Sequence, residues 1–333
     1  MTRIPFQEMY AEFLRVLLNM GFTAERAELC AKLFTEASRD GVYTHGLNRF
    51  PRFINNIKNG HININAQPVK VEALGALERW DGNLGPGNLN AHFCMKRAIE
   101  IAKEHGIGCV ALKNTNHWMR PGAYGLQAAD AGCVGICWTN TIPNMPPWGA
   151  KEPKLGNNPI VFAVPREEGH ILLDMAVSMF SYGKLESYAR HDEMLPVDGG
   201  FDSDGNLTKD PKAVLQTNQS LPIGYWKGSG LSLLLDLIAM ILSGGNSTLE
   251  VGKFGVEMGL SQVFMALDIS RLSGKDLIIR SLQETIADLH RSTPIREGGT
   301  VSYPGERMLK ARKENLEKGI PVEPVYWEQV LKM

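Results

Sequence analysis

Cysteine is scarce in this chain, five in 333 residues, and the number is odd. Cys30, Cys94, Cys109, Cys133 and Cys137 mostly sit inside apolar runs, which suits buried reduced thiols and excludes a disulfide framework. No His or Cys pair shows zinc spacing, so no metal is expected. Charge of neither sign is in excess: Lys+Arg 35 against Asp+Glu 36 leave a net charge of -1. That balance gives nucleic acid or an anionic membrane nothing to select, and points to a small neutral or anionic ligand. Long hydrophobic runs are also missing. The most apolar one, "GLSLLLDLIAMILSGG", is about 14 residues long with Asp236 inside, too short to cross a bilayer. The opening "MTRIPFQEMY" has no signal core, so a cytoplasmic location is expected. Repeats, low-complexity tracts and long linkers are absent, as is the G-x-G-x-x-G fingerprint of the doubly wound nucleotide fold.

What is present is a large apolar fraction, 44%, enough for one large domain or two closely joined ones. Pro5 precedes Met9, Tyr10, Phe13, Leu14 and Leu17, whose three- and four-residue spacing builds one apolar helical face. A second helix runs from the cap candidate Thr23 to a stop at Gly41. "HGLNRFPRFINNIKNG" then reads as a third helix starting at His45 and perturbed by Pro51. From about residue 69 the period changes to that of strands: "VKVEALGALERWD" predicts two around Gly75, and "GIGCVALKN", "CVGICWTN", "NPIVFAVP", "HILLDMAV" and "SQVFMALDI" predict more. Helical stretches alternate with them, which predicts an α/β layer structure. The apolar helix near 229 to 243 should be the most buried one. Amphipathic helices return after residue 273, and the simplest packing joins residues 1–68 with 271–333 as a helical subdomain beside an α/β domain over 69–270.

Three glycine-bearing segments have both a plain and a chemical reading. "DGNLGPGNLN" suits a tight turn better than a phosphate loop, because its spacing is wrong. "YWKGSGLS" is either close helix packing or an anion cradle with Lys227 at a helix start. "DSDGNLTKDP" lacks the glycine position and terminal glutamate of a calcium loop and reads as a polar turn. Two histidine segments remain, "YTHGLNR" and "NTNHWMRPG". If a helix starts near His45, Arg49 lies one turn later on its face, and Arg120 follows His117 by three positions. Each segment is either a surface turn or a proton donor beside a guanidinium. The second reading is what reduction of a 2-oxo acid requires: a fork for the carboxylate and an acid for the carbonyl oxygen.

Seven segments in order along nearly the whole chain carry a resemblance: "GVYTHGLNRFPRF", "NTNHWMRPGAYG", "CWTNTIPNMPPWGAKEPKLGNNPIVFAVP", "DMAVSMFSYGK", "LPVDGGFDSDGNLTKDP", "GYWKGSGLSLLLDLIA" and "YPGERMLKARKENLEKGIPV". The chain resembles the malate/L-lactate dehydrogenase-type NAD(P)-dependent oxidoreductases that lack a Rossmann fold. The resemblance implies a homodimer with a non-Rossmann, mixed-sheet cofactor domain and an active site at the subunit interface. It implies reduction of a small sugar-acid substrate with NADH as cofactor, NADPH being the open alternative. Carried over by position, His45 would be the proton donor, acting as imidazolium, while His117 would bond the same oxygen or tune the donor. Cofactor contacts would come from His170, Ile171, Leu172, Leu173, Asp174, Met175 and Ala176, from Trp226 and Lys227, and from Gly305, Glu306 and Arg307. Imine-reducing relatives pair a serine next to the histidine with an aspartate; here those positions are Thr44, a departure from the commoner serine, and Asp202. Arg49 and Arg120 are the candidates for the substrate carboxylate. The alternatives are a reductase of another 2-oxo or cyclic imino acid and, from another class, a catalytically silent small-molecule-binding protein.

Overall fold

The computed structural model describes residues 2–333. Its elements, in chain order, are β1 (Arg3–Ile4), α1 (Phe6–Asn19), α2 (Ala24–Arg39), α3 (Phe50–Lys58), β2 (Val69–Leu74), β3 (Leu77–Asp81), α4 (Gly87–His105), β4 (Ile107–Asn116), α5 (Gly122–Asp130), β5 (Cys133–Thr139), β6 (Ile160–Val164) and β7 (Ile171–Met175). There follow α6 (Tyr182–Arg190), β8 (Gly200–Phe201), β9 (Leu207–Thr208), α7 (Pro211–Thr217), α8 (Trp226–Ser243), α9 (Thr248–Lys253), β10 (Met258–Asp268), α10 (Lys275–His290), α11 (Glu306–Lys318), β11 (Ile320–Pro321) and α12 (Pro324–Leu331).

Seven strands form one mixed sheet in the order β2-β3-β4-β10-β5-β6-β7. Only β3 and β4 run parallel, across the α4 connection; the other neighbours are antiparallel. A glycine fingerprint belongs to successive parallel strand–turn–helix units, so its absence follows from this topology. β10 lies at the centre and is buried on both faces. Phe264 and Ala266 point to the side covered by α4 and α5, while Val263 and Met265 point to the side covered by α8. Four of the five cysteines are buried, Cys109 is partly so, and all are free thiols.

The second core lies between helices. Phe13, Phe34, Phe50 and Phe53 pack with Ile320, Trp327 and Val330 from the far end of the chain. Phe13 and Phe50 stack at 4.2 Å, Phe34 meets Phe50 edge-on at 5.1 Å, and β1 pairs with β11.

Two expectations are corrected. The segment after α2 is not a helix from His45: Tyr43–His45 and Leu47–Arg49 are separate 3-10 turns, broken at Gly46, and α3 starts only at Phe50. Pro51 opens that helix rather than perturbing it, since the first turn leaves its N–H unpaired anyway. Nor is α8 the most buried helix. At 18 residues it is long and apolar enough to cross a membrane by length and composition, and only its narrow stripe of Gly228, Ser232, Leu235, Asp236, Ala239 and Ser243 is buried. Asp236 is held there by Asn140 Nδ2 at 2.9 Å and the Thr248 N–H at 2.8 Å. Leu231, Leu233, Leu234, Ile238 and Ile241 face outward because the helix is apolar all round, so packing one side leaves the other uncovered.

Candidate active site

A cavity of about 800 Å³ opens between the helical core and the β5-β6-β7 side of the sheet, a size typical of small-molecule sites. Its walls include Thr44, His45, Arg49, His117, Arg120, Leu172, Asp174, Ala176 and Gly305, brought from four separate stretches of sequence.

His45 is placed by the end of α2. The chain leaves that helix at Gly41 with φ 82°, and the Leu47 N–H donates to Ser38 Oγ at 2.9 Å, clamping the two short turns onto α2. His45 Nδ1 lies 3.3 Å from Thr44 Oγ1. His117 follows β4, where Asn116 Nδ2 donates to the carbonyls of Leu84 and Gly85 at 2.8 and 3.1 Å. The two imidazoles are nearly parallel, 5.7 Å apart with 11° between their planes. The Met119 N–H donates to His117 Nδ1 at 3.0 Å, so the neutral ring carries its proton on Nε2 and offers a donor to a ligand oxygen.

The surroundings of both rings favour the neutral form. Burial, then the charges of Arg49 and Arg120, push His45 down to about 3. Burial, Arg49, His45 and Arg52 push His117 well below its ordinary value. With no substrate in the site, two guanidinium groups beside a desolvated ring favour the neutral form of His45.

Arg49 is held loosely, its Nη2 3.7 Å from Glu257 Oε2. Arg120 is held tightly. Its Nη1 donates to Asp40 Oδ2 at 2.5 Å and its Nη2 contacts Met308 Sδ at 2.8 Å. Asp40 also takes Nε and Nη2 of Arg312, both at 2.7 Å, and Nε of Arg39 at 2.7 Å. Burial works against this carboxylate, but Arg312, Arg120 and Arg39 outweigh it and hold the group well below the ordinary carboxylate range. Arg120 is thus ion-paired with Asp40 while it also lines the cavity.

The strand carried over as cofactor-binding divides by its alternation. Leu172, Asp174 and Ala176 line the cavity, while Ile171, Leu173 and Met175 lie outside its lining. Asp174 accepts the Gly122 N–H at 2.8 Å, and burial pushes its carboxyl up despite Arg120 and that bond. His170 is engaged elsewhere, with Asp130 Oδ1 at 2.9 Å and the Arg166 N–H at 3.1 Å. Gly305, at φ 99°, lets the start of α11 touch β7: a Cβ there would lie 3.0 Å from the Leu172 nitrogen. Glu306 and Arg307 lie outside the cavity lining. Glu306 is engaged by His290 at 3.1 Å, and Arg307 is exposed. Trp226 and Lys227 do not reach the cavity either; Trp226 is 66% exposed on the first turn of α8. Asp202 also stands apart from Thr44 and His45. Its Oδ1 accepts the N–H groups of Asp204 and Asn206 at 3.0 and 2.8 Å, closing the turn between β8 and β9.

The structure adds residues the sequence did not single out. Arg52, one turn along from Arg49, lines the cavity and makes no ion pair among the described residues. Asn144, Asn157, Tyr182 and Glu257 also line it. The only signal for the first two was an excess of asparagines in "NTIPNMPPWGAKEPKLGNNP". The glycine-allowed approach at Gly305, the apolar Leu172 and Ala176, and a buried Asn144 Oδ1 without a partner among the described residues fit an aromatic, amide-bearing cofactor.

A family model for malate/L-lactate dehydrogenase matches residues 4–331. The 2,3-diketo-L-gulonate reductase of Escherichia coli K12 is 45% identical over 332 residues, 98% of this chain and 99% of that protein. The Citrobacter koseri protein of the same name matches with the same identity and coverage. Among solved structures, malate dehydrogenase from Entamoeba histolytica superposes with a TM-score of 0.94 at 26% identity, covering 99% of this chain and 96% of that one. Delta1-piperideine-2-carboxylate reductase from Pseudomonas syringae gives 0.87 at 26% identity, covering 100% and 99%.

Proposed function

The chain belongs to the malate/L-lactate dehydrogenase family, and from that premise we propose that it reduces 2,3-diketo-L-gulonate to 3-dehydro-L-gulonate with NADH. The observation that carries this reading is the 45% identity over the full length to reductases of that name. The paired histidines and the loosely held arginine in one cavity supply groups suited to the chemistry.

When bound, the reduced nicotinamide supplies the hydride taken up at C2. Leu172, Asp174, Ala176 and Gly305 would hold it, on the evidence of the close approach between β7 and α11. Arg49 forks the substrate carboxylate, because its guanidinium has only a long contact to Glu257 to give up. Arg52 adds a second positive charge at the same wall. The carboxylate offsets the Arg49 field that depresses His45, so substrate binding and proton uptake at His45 are coupled. His45 then delivers that proton to the C2 oxygen as the hydride arrives at carbon, and the His117 Nε2–H donates to the same oxygen. Thr44 stays beside His45 Nδ1 as an orienting hydroxyl.

A homodimer completes this reading. The uncovered leucine and isoleucine face of α8 is suited to a second copy, which would also cover Trp226 and Lys227. Residues 1–68 with 271–333 act as the helical subdomain, and 69–270 as the sheet domain. Cytoplasmic residence suits a reductase of sugar acids that draws on cellular NADH.

The test is oxidation of NADH, and in parallel NADPH, followed at the nicotinamide band with 2,3-diketo-L-gulonate, pyruvate, oxaloacetate and a cyclic imino acid. Turnover with the sugar acid and NADH is expected. Turnover only with another acid keeps the chemistry and replaces the substrate; the name of the Pseudomonas relative makes the cyclic imino acid the first alternative. No turnover with any of them returns the chain to a silent binder.

A further inference from the structure

Among the buried polar side chains, Asn144 stands out. It is 8% exposed and lines the cavity, and its Oδ1 is buried without a hydrogen-bond partner among the described residues. Its Nδ2 donates to Asn157 Oδ1 at 3.1 Å, and Thr141 Oγ1 donates to the same oxygen at 3.2 Å. The Asn144 donor sets the orientation of that amide, Thr141 Oγ1 also lying 3.3 Å from the Ile142 carbonyl and from Asn158 Oδ1, and Asn157 Nδ2 has no protein partner among the described residues. An unpaired buried acceptor is costly unless a ligand donor meets it.

The position of this pair narrows the ligand. The Asn157 carbonyl accepts the Val177 N–H at 2.8 Å, directly after Ala176 at the end of the β7 wall. The Asn144 carbonyl accepts the Tyr182 hydroxyl at 2.7 Å, and the next residue, Gly183, abuts Thr44: a Cβ at Gly183 would lie 2.8 Å from Thr44 Cβ. The pair therefore bridges the wall that would hold the cofactor and the segment that carries His45.

We propose that Asn144 and Asn157 form a receptor for the primary carboxamide of the nicotinamide ring. Asn144 Oδ1 accepts the ligand amide N–H, and Asn157 Nδ2 donates to the ligand carbonyl. A carboxylate does not fit, since it has no proton for Asn144 Oδ1. A sugar hydroxyl can also donate and accept here, and the binding experiment without substrate separates it from the carboxamide. The two asparagines are positioning residues, which orient the ring relative to His45. This inference rests on the nicotinamide reading above.

The experiment is direct binding without substrate, read by cofactor fluorescence, of NADH and of reduced 3-acetylpyridine adenine dinucleotide. The analogue keeps the ring carbonyl and replaces the amide NH2 by a methyl group. Wild-type protein is expected to bind NADH about tenfold more tightly than the analogue, the effect of one well-placed hydrogen bond. Asn144→Ala should lose that preference while binding the analogue as wild type does. Equal affinities in the wild type overturn the proposal and need no variant, so a folding defect in Asn144→Ala does not shield it. An equal loss for both cofactors in a folded Asn144→Ala, or a change confined to the KM of the sugar acid, overturns it as well. Absence of any NADH binding by the wild type overturns both this inference and the nicotinamide reading beneath it.

Discussion

His45 and His117 lie in nearly parallel planes 5.7 Å apart, and burial, with the charge of nearby arginines, pushes both toward the neutral form. If His45 donates in the transition state, His45→Ala should lower kcat by about 10² to 10⁴ with a small change in KM. Retention of wild-type kcat would remove His45 from that role. Arg49→Ala should instead raise KM for the sugar acid most, since a carboxylate fork holds ground and transition states alike; an unchanged KM would shift the fork to Arg52. The depressed His45 also predicts an acid limb in stability. The folded ring resists protonation down to about 3, whereas the free ring titrates near 6.5. As pH falls below 6.5 the unfolded state takes up a proton that the folded state refuses, so stability drops; above 6.5 the contribution is flat. Between pH 6.5 and about 5, where carboxylates remain charged, His45→Gln should flatten the fall of Tm with pH. A slope equal to wild type in thermal melts would contradict it.

Elements show why some of the site was legible beforehand and some was not. Strand runs such as "GIGCVALKN" and "SQVFMALDI" declare themselves by composition and period, and they appear as β4 and β10. His45 and Arg49 were paired by an expected helix that Gly46 interrupts, yet both reach the cavity because α2 and α3 converge there. Arg120 went the other way. Its local spacing from His117 suggested a substrate fork, but its partner Asp40 lies 80 positions away in sequence, beyond any local pattern. Asp202, named only through the family resemblance, closes its own turn in this chain. Asn144 and Asn157 show in the sequence only as part of an asparagine-rich segment, and stand out once folding leaves one amide oxygen unpaired. The approach of α4 to the His117 segment is the tightest of these contacts: a Cβ at Gly87 would collide with the carbonyl oxygens of Asn116 and His117. Gly87→Ala should therefore cost about 1–3 kcal/mol of stability and also lower kcat by displacing His117. Thermal unfolding together with turnover checks this, and a stable, fully active variant would show that the helix start shifts freely.

For the whole molecule, assembly turns on α8. Leu234 is 56% and Ile241 65% exposed on the face opposite the sheet, in a chain whose net charge of -1 offers little repulsion between copies. If that face joins two copies, Ile241→Glu should shift the protein from dimer to monomer in sedimentation velocity. A wild-type protein that sediments as a monomer would refute the dimer.

The pairing of β1 with β11, and the packing of Trp327 and Val330 onto Phe13, Phe34 and Phe50, gives synthesis a fixed order. All seven strands of the sheet lie before residue 269, but its helical neighbour must wait for β11 and α12, residues 320–331. Until then the aromatic faces of α1, α2 and α3 lack their cover, and the cavity wall that includes Tyr326 and Gln329 does not yet exist. A chain released before α12 would thus present a nearly finished sheet beside an exposed aromatic surface, a form that chaperones and proteases can distinguish from the finished protein.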